Sequence, residues 1–97
     1  MTLLDPASRS ARGLATEAEA TGRTAHEPTT LFEESWRDFV FAEVWTRPGL
    51  PRRARFLVAM ASAAICGLED RQLDDFVRGA LTSNELSLAE LREAALH

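Results

Sequence analysis

The chain has 97 residues, of which 45% are hydrophobic and 27% are charged, and this composition favours one small globular domain over a disordered chain. The formal net charge of −4 gives no basic excess for nucleic acid or a membrane surface, and a single cysteine cannot form an internal disulfide. No apolar run reaches the roughly 18 residues of a spanning helix and the N-terminus is too polar for a signal peptide, so we expect a cytoplasmic protein.

The sequence predicts an all-α fold, because strand-like alternation is absent and apolar residues recur at helical spacing. Asp5 can cap a first helix that has Pro6 at its first position, and Gly22 can end that helix. Its apolar stripe is narrow and mostly alanine, which predicts loose docking or docking against a partner. The stripe consists of Ala7, Ala11, Leu14, Ala15 and Ala18.

A second helix is predicted after Pro28, where Thr30 and Glu33 have the spacing of a capping box. Its bulky apolar face is predicted to comprise Leu31, Phe32, Trp36, Phe39, Val40 and Val44. Two prolines and a glycine between positions 46 and 51 then predict a turn, and Pro51 can occupy the first position of a third helix.

The third helix is apolar nearly all round from Phe56 to Ile65, which predicts burial on most sides, as a central helix or an oligomer interface. Gly67 is predicted to end it and Asp70 to cap a fourth helix. The apolar residues of the fourth helix are Leu73, Phe76, Val77, Ala80 and Leu81.

A fifth helix is predicted from a second capping box, Ser87 and Glu90, and carries Leu88, Leu91 and Ala95. No glycine or other stop signal follows, so this helix is predicted to be still running at His97.

Several segments resemble signatures of one family. Residues 43–55, EVWTRPGLPRRAR, are similar to the "EVW-RPGL---R" signature of carboxymuconolactone decarboxylases. Residues 78–81, RGAL, and 88–97, LAELREAALH, resemble two further segments, and RGLATEAEATG resembles the family's first helix. The chain is therefore identified as a member of this family on the order and spacing of separate motifs.

The resemblance implies a small orthogonal bundle of about five α-helices, like that of alkyl hydroperoxide reductase D, with residues 1–97 forming a single domain. It also implies self-association into trimers or hexamers and a decarboxylase that acts on a small carboxylate substrate without a cofactor. Family members continue past the position of His97, so we expect the chain to be a shortened or divergent form.

The sequence departs from the family at three positions. Glu69 and Gln72 stand where the reductase branch has a Cys-x-x-Cys pair, and Phe76 stands where many members have a histidine before RGAL. Thiol chemistry needs a thiolate and a resolving partner, so a hydroperoxide reductase would require Cys66 to react with a partner's thiol. Otherwise Cys66 is interpreted as an inert buried thiol.

Glu43 is the main catalytic candidate. Helical spacing places it on the same side as Phe32, and a carboxylic acid on an apolar face suits general acid–base work. The alternative is that the helix frays before Glu43, which then pairs with Arg47 or Arg55. His97 matches the family's late histidine and is a second catalytic candidate, since imidazole titrates near neutral pH; the alternative is a frayed, solvated terminal residue.

Arg47, Arg55 and Trp45 are the substrate-binding candidates. A guanidinium can hold a carboxylate in a bidentate manner, but Arg47 could equally fasten the turn. Arg52 and Arg53 lie with Arg55 in the first turn of the third helix, where positive charges interact unfavourably with the helix dipole. We therefore expect a nearby anion, either a bound substrate or a side-chain carboxylate. Trp45 is either a substrate platform or a core residue.

The chain offers no metal-binding pattern, since it has one cysteine and two histidines far apart in sequence. His26 is interpreted as exposed, and Arg78 as part of a salt bridge. Two functional hypotheses remain. The first is an enzyme that decarboxylates or isomerises a lactone or keto acid, and the second is a non-catalytic accessory or assembly subunit of the same family.

Overall fold

The computed structural model describes residues 4–24, 27–66 and 70–97, with Cys66 and Asp70 described by their backbone alone. These residues form five α-helices and one π-helix, and no strand occurs among them. The prediction of an all-α fold is confirmed. The helices are α1 (Pro6–Thr21), α2 (Leu31–Ser35), the π-helix (Trp36–Val44), α3 (Arg52–Cys66), α4 (Asp70–Thr82) and α5 (Leu88–Ala95).

The chain divides into two compact units. The first comprises Met1–Ala18 and Thr24–Gly49, and the second comprises Glu19–Arg23 and Leu50–His97. Helix α1 therefore contributes most of its length to the first unit and its last turn to the second. The single domain over residues 1–97 stays a prediction.

Helix α1 begins and ends as the sequence predicts. The backbone N–H of Ser8 donates to Asp5 Oδ1 over 3.1 Å, which holds the pKa of Asp5 below its ordinary value. Gly22 follows the helix with a φ of +70°, a left-handed conformation that glycine adopts without strain.

Of the predicted apolar stripe of α1, Ala7, Ala11 and Ala15 are exposed within the chain, and the other two residues are half-buried. Docking of the stripe against a partner stays a prediction. The buried face carries Gly13, Thr16 and Ala20 instead, at spacings of three and four residues. A Cβ on Gly13 would lie 2.0 Å from the carbonyl oxygen of Arg37, so α1 and the π-helix meet backbone to backbone in the first unit.

The predicted second helix forms in two parts. Thr30 caps α2, since its hydroxyl accepts from the N–H of Glu33 over 3.1 Å, while the Glu33 carboxylate accepts from the N–H of Thr29. From Trp36 the backbone changes to a π-helix, in which hydrogen bonds span five residues instead of four.

The π-helix changes which residues are buried. Leu31, Phe32 and Phe39 of the predicted apolar face are exposed, and Phe41 and Trp45 are buried instead. For Phe39, Phe41 and Trp45 the difference arises because the prediction assumed the angular step of a regular α-helix, and each π-helical turn contains more residues. Leu31 and Phe32 precede the π-helix, so this change does not account for their exposure.

In the second unit α3 packs against α4 through one face. Phe56 and Met60 of α3 and Phe76 and Ala80 of α4 are buried. Burial of α3 on most sides is not observed, since Ile65 is 86% exposed. One packed face against α4 cannot cover a helix that is apolar nearly all round. The predicted stop at Gly67 lies outside the described residues, and the side chain of Asp70 is not described.

Helix α5 follows a short turn in which Asn84 has a φ of 59°. The predicted capping box is confirmed in both directions, since Ser87 Oγ accepts from the Glu90 N–H and the Glu90 carboxylate accepts from the Ser87 N–H. The helix ends at Ala95 rather than running to His97. Its last turn tightens, with the N–H of Leu96 donating to the carbonyl of Glu93.

Among the helices that the structure describes, none is both long and apolar enough to cross a membrane.

Candidate functional site

The candidate acid, Glu43, lies near the end of the π-helix in the first unit. The helix continues through it to Val44 rather than ending before it, and Glu43 is only 6% exposed. Its Oε1 accepts the backbone N–H of Leu4 over 3.3 Å. Within the described part of its unit, Glu43 forms no ion pair. Glu43 is therefore a buried carboxylate held by a main-chain donor.

Trp45 follows the π-helix directly and is buried. Its ring belongs to a row of aromatic side chains that runs along α2 and the π-helix, with ring centroids 6.1, 5.8 and 5.9 Å apart. The row comprises Phe32, Trp36, Phe41 and Trp45. This environment agrees with the interpretation of Trp45 as a core residue.

The end of the π-helix is closed by two bonds. The N–H of Trp45 donates to the carbonyl of Val40 over 2.9 Å, and the hydroxyl of Thr46 donates to the carbonyl of Ala42 over 2.6 Å. The N–H of Arg47 then donates to the carbonyl of Val44, and its side chain is exposed. These bonds begin the turn that the sequence predicts, and they hold Glu43, Trp45 and Arg47 on one short stretch of backbone.

In the second unit, the arginines at the start of α3 have side-chain and main-chain partners. Arg52 pairs with Glu19 over 2.6 Å, and Arg53 pairs with Glu90 and donates to a main-chain carbonyl. Arg55 is half-buried and its Nε donates to the carbonyl of Leu50 over 3.2 Å. The anions expected near Arg52 and Arg53 are thus side-chain carboxylates of the protein itself.

His97 also belongs to the second unit, where it is exposed and its N–H donates to the carbonyl of Ala94. His26 lies outside the described residues, as does the side chain of Cys66. One site formed by Glu43, Trp45, Arg47, Arg55 and His97 stays a prediction.

Sequence reasoning missed Arg37, which is buried in the first unit. Its guanidinium binds both carboxylate oxygens of Asp38, over 2.6 and 3.1 Å, and also donates to Glu27. Ser10 of α1 donates to the same Asp38 carboxylate over 3.2 Å. The sequence signal for its burial was a four-residue spacing. Arg37 and Phe41 are buried on the π-helix, and Trp45 is buried directly after it.

The contact between Arg37 and Asp38 shifts the pKa values of the two side chains in opposite directions. The guanidinium that donates to it holds the pKa of Asp38 below its ordinary value, and the same contact raises the pKa of Arg37. Because Ser10 joins this pair from α1, the pair fastens α1 to the segment that carries Glu43.

Phe76, at the position where many family members have a histidine, is buried in α4. An apolar ring there contributes to the core of the second unit and supplies no proton donor. Arg78 pairs with Asp75 over 3.1 Å, as does Arg23 over 2.7 Å, so the prediction of a salt bridge for Arg78 is confirmed. The described residues contain no group of three or more His, Cys, Asp or Glu that could hold a metal ion.

Comparison with known proteins identifies the family. Residues 30–97 match the model of the carboxymuconolactone decarboxylase family, and the chain belongs to this family. Over 59 residues it is 44% identical to a 4-carboxymuconolactone decarboxylase of Acinetobacter baylyi, a match covering 61% of this chain and 42% of that protein. The match thus spans less than half of the relative's length. No solved structure matches the chain.

Proposed function

We propose that the chain is a carboxymuconolactone decarboxylase-like enzyme that acts on a small lactone acid or keto acid by cofactor-free acid–base chemistry. The observation that carries this proposal is the buried carboxylate of Glu43 within the family signature. A carboxyl group shielded from water is a suitable proton donor to carbon. The similarity to a 4-carboxymuconolactone decarboxylase supports the reaction type.

The reaction would proceed in two steps. The bond between the substrate's carboxylate carbon and its neighbour breaks, CO₂ leaves, and the electron pair moves into the adjacent carbonyl system as an enolate. Glu43 in its acid form then donates a proton to carbon and afterwards recovers one from solvent. Atoms and charge balance without an oxidant or a metal ion, so the demand on the protein is to bind an acid and to deliver one proton.

The other site residues keep the roles that the resemblance implies. Arg47 and Arg55 are each assigned to binding of a substrate carboxylate, and Arg55 is half-buried, which strengthens such an interaction. His97 is assigned to proton exchange and Trp45 to the apolar surroundings of the substrate. Separate substitutions of Arg47 and Arg55 by methionine should raise KM more than they lower kcat, if each binds the substrate's acid group.

The direct test is decarboxylation of 4-carboxymuconolactone by the purified chain, followed by ultraviolet absorbance. Turnover by the wild type and its loss in Glu43→Gln, with unchanged circular dichroism, would support Glu43 as the acid. Glu34→Gln is the matched control, because Glu34 is an exposed glutamate on the preceding helix. Full activity in Glu43→Gln would remove Glu43 from the mechanism.

A second candidate is a non-catalytic accessory or assembly subunit. The burial of Phe76 favours it, because the imidazole that many relatives carry at this position is replaced by a core residue. A folded chain without turnover, which gains no activity from Phe76→His, would favour this role. Activity that appears in Phe76→His alone would instead indicate an enzyme that has lost one proton carrier.

Self-association into a trimer or hexamer is part of the proposal. It is supported by Val58 and Ile65, two large apolar residues seven positions apart that α3 exposes. Sedimentation analysis at micromolar concentration tests it, and Ile65→Glu should lower the measured mass. A wild-type monomer would contradict it. Cytoplasmic location likewise stays a prediction.

A further inference from the structure

The carboxylate of Glu43 is contacted by a segment far away in sequence. Its Oε1 accepts the N–H of Leu4 over 3.3 Å, and Leu4 is half-buried although it precedes α1. A group that exchanges a proton with a substrate must come within about 2.6–3.2 Å of it. A carboxylate only 6% exposed must be uncovered first, and the main chain of Leu4 is in direct contact with it.

The position of Leu4 is set by the start of α1. Asp5 holds the first turn by accepting from the N–H of Ser8, and its carbonyl accepts from the N–H of Arg9 over 2.9 Å. Pro6 begins the helix with a restricted φ. The residue before Asp5 therefore enters α1 in a defined direction, and its N–H points to Glu43.

Helix α1 is in turn fastened to the π-helix within the first unit. Gly13 lies so close to the main chain of Arg37 that a Cβ would be 2.0 Å from its carbonyl oxygen. Ser10 donates to Asp38 over 3.2 Å. Both contacts involve residues within α1, whereas Leu4 precedes the helix. Opening of the contact between Leu4 and Glu43 therefore requires neither of these two contacts to break.

We propose that the main chain at Leu4 forms a strap over Glu43, and that the strap must move aside before a substrate can reach this carboxylate. The proposal rests on the proposed function in that Glu43 is the acid. The strap excludes water from Glu43 in the resting protein. Its main-chain donor also occupies an oxygen that a substrate would need. Among the described residues, opening breaks the hydrogen bond between Leu4 and Glu43 and removes the packing of the half-buried Leu4 side chain.

Chemical labelling of carboxyl groups with a water-soluble carbodiimide and an amine, read by peptide mass spectrometry, tests the strap without reference to turnover. Leu4→Pro removes the N–H donor, and Leu4→Ala retains it. We expect Glu43 to be labelled about fivefold or more faster in Leu4→Pro than in the wild type. Leu4→Ala keeps the N–H donor and loses only the leucine packing, so it should speed the labelling of Glu43 by a smaller factor than Leu4→Pro does. Exposed Glu34 serves as the internal reference for reagent reactivity.

Equal labelling of Glu43 in Leu4→Pro and the wild type would overturn the strap, as would wild-type labelling of Glu43 as fast as that of Glu34. If Leu4→Pro does not fold, the hydrogen-exchange rate of the Leu4 amide in the wild type tests whether the strap is closed. Slowing by about tenfold or more relative to an unstructured peptide supports the strap, and exchange at the peptide rate overturns it. Neither readout requires decarboxylation, so failure of the strap remains distinguishable from failure of the Glu43→Gln test.

Discussion

Gly79 of α4 lies directly against the main chain of Ala20 in the last turn of α1. A Cβ built on Gly79 would be 1.8 Å from the carbonyl oxygen of Ala20 and 2.4 Å from its carbonyl carbon. Both residues are buried. The glycine of the RGAL motif therefore has a packing role in the second unit, since only a residue without a side chain permits two backbones to approach so closely.

Gly79→Ala should destabilise the protein by about 3 kcal/mol or more, because the new methyl group would overlap backbone atoms that cannot move without shifting a helix. Chemical denaturation followed by circular dichroism gives the difference. Gly49→Ala is the matched control, since nothing lies within 4 Å of a Cβ at Gly49. That variant should stay within about 0.5 kcal/mol of the wild type. Equal stability of the two variants would contradict the close contact.

Arg37→Met should lower the free energy of unfolding by about 1–3 kcal/mol, since it leaves Asp38 without its two-bond partner at a site where the arginine side chain is 10% exposed. Arg37→Lys should recover part of this loss, because one ammonium group cannot bind both oxygens as the guanidinium does. Arg23→Met provides the control. Arg23 is exposed and its partner Asp75 retains Arg78, so this change should cost less than about 1 kcal/mol.

Glu90 should make stability depend on pH in the acid range. The hydrogen bond from Arg53, together with the Ser87 N–H, lowers the pKa of Glu90 from 4.5 to about 2. A depressed pKa in the folded state means that the stabilisation is complete above the unfolded value and is lost as pH falls towards about 2. The stability difference between wild type and Glu90→Gln should therefore be constant near neutral pH and shrink below about pH 4.5.

Arg53→Met provides the control for this pH dependence. Because Arg53 makes the largest contribution to the lowered pKa of Glu90, Glu90→Gln in the Arg53→Met background should change stability at acid pH much less. A stability difference between wild type and Glu90→Gln that does not vary with pH would contradict the ion pair. Denaturant unfolding at a series of pH values supplies both comparisons.

Ser87→Ala should cost about 1 kcal/mol, because it removes the hydroxyl that accepts the Glu90 N–H at the start of α5. Ser87→Asp retains an acceptor and should recover most of the loss. Ser62→Ala, an exposed serine inside α3, should remain within about 0.5 kcal/mol of the wild type. A Ser87→Ala variant as stable as Ser62→Ala would show that the cap contributes little.

The helical class, the family and the helix starts could be predicted from the sequence. Asp5, Thr30 and Ser87 each accept a main-chain N–H three residues ahead, as their spacing predicts. These bonds form within one turn, so a few neighbouring residues contain all the information that they need. The family motifs are likewise short and ordered along the chain.

The buried faces and the surroundings of Glu43 were decided by tertiary structure alone. Glu43 lies on the buried side of a π-helix, and its carboxylate accepts the N–H of Leu4, 39 positions away in sequence. The contacts of Gly13 with Arg37 and of Gly79 with Ala20 also join distant segments. A periodicity read along one helix assumes a constant angle per residue and a neighbour on the apolar side. The first assumption fails in the π-helix, where hydrogen bonds span five residues and the angle per residue is smaller. The second fails where helices pack through glycine instead of through large apolar side chains.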